Sequence, residues 1–438
     1  MNHSFFAKLK EISYKDILQV FVFLLALIPA LVYKKMRPHL WLVCEHKNEA
    51  ADNGYWFFRY LREVHPEVDS VYAINSRCRD YKKVKNLGPT ISFGTFKHWI
   101  YYLAAEVNIS SQKGGKPNAA VCYFLEVYGI LKNKRVFLQH GITKDNVKFL
   151  HYKNAKFAMI VTNTEREHEY MKANFGYKND ELQMTGMPRF DNLYRNIKQA
   201  TKNIRKILIM PTWRSWINPP SNGKAEIAEK DIKKSTYYKA WNGLINDKTF
   251  IKLIEDNDLQ VVFYQHREMQ KFEGLFASDN PRITVVDPKK TEVQQLLIDS
   301  DFMITDYSSV AMDFAYMDKP LCYFQFDYEE FRSKHYEEGY FSYVNDGFGP
   351  VCRTKEEVIN TLTDFVVKNQ DKPVTVMENA TKEAVENTTE ETVTQEKSAA
   401  SVKDKYAEYA RRREEFFTLK DDKNCERTFE AIKSIIQR

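Results

Sequence analysis

Short apolar runs recur through the chain from residue 40 onward, each separated from the next by an amphipathic stretch. The first series reads Leu40–Cys44, Val71–Asn75, Thr90–Phe93, Val107–Ser110, Arg135–Gln139 and Phe157–Val161. The second reads Ile207–Met210, Val261–Gln265, Ile283–Val286, Phe302–Thr305 and Leu321–Gln325. Each run is nearly continuous in apolar character, the pattern of a strand with both faces covered. Alternation of such strands with helical stretches predicts parallel sheets of the doubly wound kind. The spacing predicts two units, 39–197 and 204–365, with the polar stretch Tyr194–Lys206 as a hinge. A length of 438 residues accommodates both units and flanking segments.

Those flanking segments differ in kind. Residues 17–33, ILQVFVFLLALIPALVY, carry no charge, and Lys34, Lys35 and Arg37 follow at once. Seventeen helical residues span about 25 Å, short of the ~30 Å hydrocarbon core. Pro29 is expected to kink or end the helix. Bases stand on both sides of the run, so charge gives no orientation. Residues 1–38 are therefore expected to form a monotopic, membrane-associating helix, with a full span or a buried core helix as the alternatives. Residues 371–403 are rich in Thr, Glu, Lys, Val and Ala and lack aromatics, so a disordered insert is expected there. A helical segment, 404–438, should follow, with Phe429, Ile432 and Ile436 on one face of its last helix.

The chain has a net charge of +6, and residues 371–403 carry −3, which leaves +9 on the rest. An excess of that size does not mark a nucleic-acid binder; it suits phosphorylated ligands or an anionic membrane surface. The six cysteines show no C-x-x-C spacing and read as reduced, mostly buried thiols of a cytosolic protein.

Four motifs fall just past the carboxyl ends of expected strands, where a parallel sheet delivers ligands. In Phe137-Leu138-Gln139-His140-Gly141, His140 projects from a strand exit and is suited to accept a proton near neutral pH. In Met210-Pro211-Thr212-Trp213-Arg214-Ser215, the planar fork of Arg214 suits a phosphate. In Tyr264-Gln265-His266-Arg267, His266 holds a second strand exit and suits donation to a phosphate or leaving group. The stretch Ile304–Ala315 is the most specific, since Asp306, Ser308 and Ser309 lie between a strand and a helix. Free N–H groups in a first turn, the helix dipole and two hydroxyls make an anion site there. The plainer alternatives are a loop histidine satisfied by backbone, an interdomain ion pair at Arg214, a structural His266 and a capped helix without ligand. Walker A, G-x-G-x-x-G, G-x-S-x-G and H-E-x-x-H motifs are all absent, which weighs against hydrolases and dehydrogenases. Asp306 and Asp313 are seven apart and make no paired metal site.

Taken together, Gln139-His140-Gly141, Pro211-Thr212-Trp213-Arg214, Gln265-His266 and Ile304–Ala315 with Asp318-Lys319-Pro320 resemble the CDP-glycerol glycerophosphotransferase family, the teichoic-acid primases and polymerases. Trp41-Leu42-Val43 and the string Asn48–Trp56 resemble the opening of its first domain. The resemblance covers about 39–365 and resumes near 404–436; residues 371–403 look like an insertion. It implies an α/β fold of the GT-B type, with two facing Rossmann-like domains, the first for acceptor and the second for donor nucleotide. It implies CDP-glycerol as donor, CMP as product and a lipid-linked polyol-phosphate acceptor at the inner face of the cytoplasmic membrane. His140 would be the general base on the acceptor hydroxyl. His266, Arg214, Ser308 and Ser309 would hold the diphosphate, with Thr212 and Asp306 in the same donor site. Family members often read His-Gly-Thr-Pro where this chain has His140-Gly141-Ile142-Thr143. No cofactor and no protein-held metal are expected, although magnesium could ride on the donor phosphates. No nucleic-acid partner is expected, and the oligomeric state stays open. The alternatives are CDP-ribitol as donor, a sugar-nucleotide glycosyltransferase on the same scaffold, and a non-catalytic, membrane-bound nucleotide-binding scaffold.

Overall fold

The computed structural model describes residues 13–178, 180–197, 204–217, 229–269, 272, 274–334, 337–368 and 406–438. The expected insert at 371–403 lies outside them. The chain divides into two compact units. The first comprises the chain to Asn196 together with Tyr336–Tyr340 and Phe417–Arg438. The second comprises Ile197–His335 and Phe341–Phe416.

The first unit is built on a seven-stranded sheet. Its strands are β1 (Trp41–Cys44), β2 (Ser70–Ile74), β3 (Thr90–Ser92), β4 (Val107–Ser110), β5 (Lys134–Phe137), β6 (Met159–Thr162) and β7 (Leu182–Met184). Their order is β3-β2-β1-β4-β5-β6-β7, and every pairing is parallel. The second unit holds β8 (Lys206–Met210), β9 (Gln260–Tyr264), β10 (Ile283–Val286), β11 (Phe302–Thr305), β12 (Leu321–Phe324) and β13 (Val351–Cys352). Their order is β10-β9-β8-β11-β12-β13, again all parallel. Strand order reverses between β1 and β4 in one sheet and between β8 and β11 in the other. A doubly wound sheet opens a crevice at such a reversal, beyond its carboxyl edge. Two strands, β7 and β13, had no counterpart among the expected runs. β13 has only two residues, too short to register as an apolar run, and β7 is interrupted by the polar Gln183.

Both faces of each sheet are covered. Phe57, Phe58, Leu61 and Phe429 pack on one face of the first sheet, and Trp99, Tyr102, Val121 and Leu125 on the other. The last helix, Asn424–Gln437, thus belongs to the first unit, whereas residues 406–416 belong to the second. It buries Phe429, Ile432 and Ile435, with Ile436 half-buried at the margin. Its first turn is capped from a distance. Asp191 accepts from the Asn424 backbone at 2.8 Å, the Asn424 amide at 2.8 Å and the Cys425 backbone at 3.0 Å.

The N-terminal helix, Tyr14–Met36, runs through Pro29 rather than ending there. Its 23 residues make a rod of about 34 Å. Ser13 and Asp16 close a capping box at its start. One side docks on the helix Phe96–Ala104: Phe23, Ala26 and Ala30 are buried, Phe23 meets Trp99 at 5.5 Å, and Trp99 Nε1 donates to Gln19 at 2.7 Å. Polar ties bracket the rod, Asn118 donating to Asp16 at 2.9 Å and Arg37 Nε to Asp69 at 2.7 Å. The opposite side is apolar and open, with Leu25 70% and Ile28 75% exposed. By length and composition the helix could cross a membrane, yet it is tied to the first unit along its length. It is not the buried core helix that stood as one alternative.

Removing the Asp191 carboxylate strands buried N–H donors at the head of the last helix. Asp191→Ala should cost about 1–3 kcal/mol of stability. Urea denaturation checks this, and an unchanged midpoint would mean that apolar packing alone holds the helix.

Candidate active site

In the first unit, β5 delivers His140 to the carboxyl edge of the sheet. The strand ends at Phe137, Leu138 is buried, and Gln139 takes a left-handed backbone with φ 59°. Such a φ is uncommon outside glycine and asparagine and persists only where surroundings enforce it. Here they do. The Gln139 carbonyl accepts from Asn53 Nδ2 at 2.8 Å. Its side-chain amide donates to the Val161 carbonyl at 2.6 Å and to Glu167 Oε1 at 3.0 Å, and its side-chain oxygen accepts from Thr143 Oγ1 at 2.6 Å.

The His140 side chain is exposed. The surrounding protein still displaces enough water to hold its pKa below the ordinary imidazole value. Asp52 pulls that value up, Arg189 pushes it down, and a hydrogen bond to the Ser111 backbone favours the protonated ring. The direction of that shift favours the uncharged ring at neutral pH. One nitrogen donates to the Ser111 carbonyl, and the other keeps a lone pair, the form a general base requires.

Behind the histidine lies a polar group that the sequence reading did not single out. Asp52 caps the helix Asn53–Val64 and pairs with Arg189 Nη1 at 2.7 Å. Asn53 Oδ1 accepts from the Arg189 backbone at 3.1 Å, so one buried asparagine ties the helix start to both loops. Glu45, the first residue after β1, accepts from the backbones of Ala51 at 3.0 Å, Asp52 at 3.1 Å and Tyr55 at 2.6 Å. Burial, with Asp52 beside it, pushes its carboxyl up to about 8. Gly54 permits this approach, since a Cβ there would stand 2.7 Å from Glu45 Cγ. The strand-exit argument that found His140 applies equally to Glu45. Arg189 carries no comparable signal.

In the second unit, the loops after β8 and β11 meet at the strand reversal. Arg214 has no exposed surface. It forks onto Asp327 through Nε at 2.7 Å and Nη2 at 3.0 Å, donates from Nη1 to the Thr212 carbonyl at 2.8 Å, and pairs with Asp306 at 2.9 Å. Burial works against its charge, and the two flanking carboxylates more than restore it. Asp306 also accepts from the backbones of Thr212 at 2.8 Å and Tyr307 at 2.7 Å. Tyr307 closes the cluster, stacked on Phe331 at 3.7 Å with its hydroxyl 3.2 Å from Asp327. This corrects the expectation that Arg214 faces a diphosphate. Its donors are spent on Asp327, Asp306 and the Thr212 carbonyl, within one unit rather than between domains. Thr212 and Asp306 are likewise struts of the loop. Asp327, just past β12, was missed because its partner lies 113 residues away.

The remaining residues of this group stay near the surface. Ser308 and Ser309 are half-buried ahead of the helix Val310–Tyr316, and Ser308 Oγ accepts from the Val310 backbone at 3.3 Å. His266 is half-buried after β9, with Trp213 stacked on it at 6.4 Å. The Glu268 backbone donates to His266 Nδ1 at 3.2 Å, which places the proton of the neutral ring on Nε2. That nitrogen is then a donor. Among the described residues, no three His, Cys, Asp or Glu side chains gather as metal ligands.

Two doubly wound parallel units, each with polar loops at a strand reversal, define an α/β protein of the GT-B type. The solved structure of the wall teichoic acid polymerase TagF matches 100% of this chain and 99% of its own at a TM-score of 0.61 and 14% identity. A putative UDP-N-acetylglucosamine 2-epimerase from Listeria monocytogenes matches 91% of this chain and 96% of its own at 0.51 and 13%. At such identities the likeness is one of fold. The sequence goes further: the family model described as CDP-Glycerol:Poly(glycerophosphate) glycerophosphotransferase matches residues 29–382, and the chain belongs to that family. The minor teichoic acid biosynthesis protein GgaB of Bacillus subtilis (strain 168) is 28% identical, over 76% of this chain and 36% of its own. The teichoic acid glycerol-phosphate primase of the same strain is 25% identical over 50% and 52%. The teichoic acid poly(ribitol-phosphate) polymerase of Bacillus spizizenii (strain ATCC 23059 / NRRL B-14472 / W23) is 22% identical over 72% and 49%. The chain thus spans about a third to a half of the length of these relatives.

Arg214→Ala would leave two buried carboxylates without their cation, a change that costs about 3–5 kcal/mol. The expected outcome is a lowered melting temperature or insoluble protein. A stable variant whose only defect is weaker donor binding would return Arg214 to the diphosphate.

Proposed function

We propose that the protein transfers glycerol phosphate from CDP-glycerol to the polyol-phosphate end of a membrane lipid-linked acceptor and releases CMP, in the synthesis of teichoic acid or a related cell-surface polymer. The observation that carries this reading is His140 at the exit of β5, an imidazole on an enforced turn with one nitrogen anchored to Ser111. In the proposed step the acceptor hydroxyl gives its proton to His140, and its oxygen forms a bond to the phosphorus beside glycerol. The bond from that phosphorus to the CMP oxygen breaks, and CMP leaves with the electron pair. His266 Nε2–H and the Ser308 and Ser309 hydroxyls are suited to hold the diphosphate charge as it shifts towards CMP. Arg214, Asp306 and Thr212 act by shaping the loop that carries those serines. A TagF structure solved after a CDPG soak, matching 91% of this chain, supports a cytidine diphosphate donor. Ribitol stays as a second reading of the polyol, since one of the relatives is a poly(ribitol-phosphate) polymerase.

The membrane belongs to the same proposal. The open face of Tyr14–Met36 carries Ile17, Phe21, Leu24, Leu25, Ile28 and Leu31, with Lys34 and Lys35 in the last turn. A rod tied down on one side and apolar on the other fits a bilayer sideways, at the inner face, with its bases near anionic headgroups.

Purified protein should release CMP from CDP-glycerol only with a lipid-linked glycerol-phosphate acceptor present. His140→Ala should lower that rate by at least about a hundredfold while calorimetry still detects donor binding. Release from CDP-ribitol alone would move the assignment to ribitol, and full turnover by His140→Ala would remove the base. Replacing Phe21, Leu24, Leu25 and Ile28 with serine should abolish sedimentation with anionic vesicles, and unchanged sedimentation would place the membrane contact elsewhere.

A further inference from the structure

His140 owes its place to a carboxylate on a neighbouring helix. Glu167 is fully buried in the first turn of Glu165–Asn174, whose N-cap is Thr164. Its Oε1 accepts from the Thr143 backbone at 2.6 Å and from Gln139 Nε2 at 3.0 Å. Its Oε2 accepts from the Asn163 backbone at 2.7 Å and Asn163 Nδ2 at 2.9 Å. A glutamate at this position ordinarily reaches back only to its own helix start. This one turns half of its capacity to residues on either side of His140, one of them the residue with φ 59°.

We propose that Glu167 is a positioning residue for the transfer reaction: its carboxylate grips Gln139 and Thr143 and so sets the direction in which the His140 imidazole faces. This rests on the reading of His140 as the base. A merely stabilising role fits poorly. Burial pushes the Glu167 carboxyl up to about 7, against the opposing pull of its four donors. The folded chain therefore binds the proton more tightly than the unfolded one, and stability falls as pH rises between the ordinary carboxyl value and about 7. The ionised form is held at a cost to the fold, as functional sites often are. The groups around it are Gln139, Thr143, Asn163, Thr164 and Tyr340, whose phenol burial keeps un-ionised; His168, one residue on, is held below its ordinary pKa by burial. Protonation of Glu167 would remove an acceptor from the clamp, so the transfer rate should fall as pH drops through about 7.

The test is Glu167→Gln, which keeps the volume and turns an amide donor towards backbone donors. The kcat of acceptor-dependent CMP release should drop about ten- to a hundredfold, with KM for CDP-glycerol within about twofold. The acid limb near pH 7 should vanish and leave only the lower one of His140. A second readout needs no turnover. In ¹⁵N-histidine-labelled protein, with the resonance assigned through His140→Gln, the wild-type ring should show one tautomer and Glu167→Gln a mixture. Should Glu167→Gln not fold, Gln139→Gly keeps the positive φ, releases the side chain from Glu167, and should give the same kcat loss and tautomer mixture. A variant with wild-type kcat, or one whose loss comes with a single tautomer and an unchanged pH profile, overturns the proposal. Absence of CMP release by the wild type, or full activity of His140→Gln, overturns the base reading instead, and the tautomer comparison still decides the role of Glu167.

Discussion

All strands of both sheets run parallel, and the rest of the molecule follows from that constraint. Parallel strands need crossovers, so helices cover both faces and strand interiors become continuously apolar. The loops after the strands then gather at one edge, and polar chemistry concentrates there. His140, Glu45 and Ser111 stand at this edge of the first sheet, and Arg214, His266, Asp306 and Asp327 at that of the second.

At both edges, buried polar groups serve shape before chemistry. In the second unit one guanidinium holds two carboxylates and a carbonyl, and the loops after β8, β11 and β12 become one piece. A charge so enclosed survives only with its partners in place. In the first unit, Glu45 and Glu167 do comparable work by accepting backbone donors from loops and from the first turn of the helix Asn53–Val64. The groups left near the surface, His140, His266, Ser308 and Ser309, are those with the chemistry of proton transfer and anion binding.

Much of this was legible beforehand. Eleven apolar runs became strands, and the motifs fell at strand exits because hydrophobic period and turn position are local properties. What escaped was non-local or very short. The two-residue β13 and the Gln183-interrupted β7 leave no apolar run to read. Helical propensity treats Pro29 as a breaker, yet docking of Phe23, Ala26 and Ala30 carries the helix past it. Arg214 read as a phosphate ligand because a sequence shows a guanidinium but not the carboxylates that surround it.

The sequence by itself determined the strand–helix alternation, the two-unit division, the strand-exit placement of His140 and His266 and the apolar N-terminal helix. Each is written in residue types spaced along a few turns or strands. The tertiary structure decided which charges are spent on one another, which side of the N-terminal helix is covered, and that Gln139 holds a left-handed turn. Those outcomes depend on groups far apart in the chain, Arg214 with Asp327, Gln19 with Trp99 and Gln139 with Glu167, whose pairing exists only once the sheets have formed.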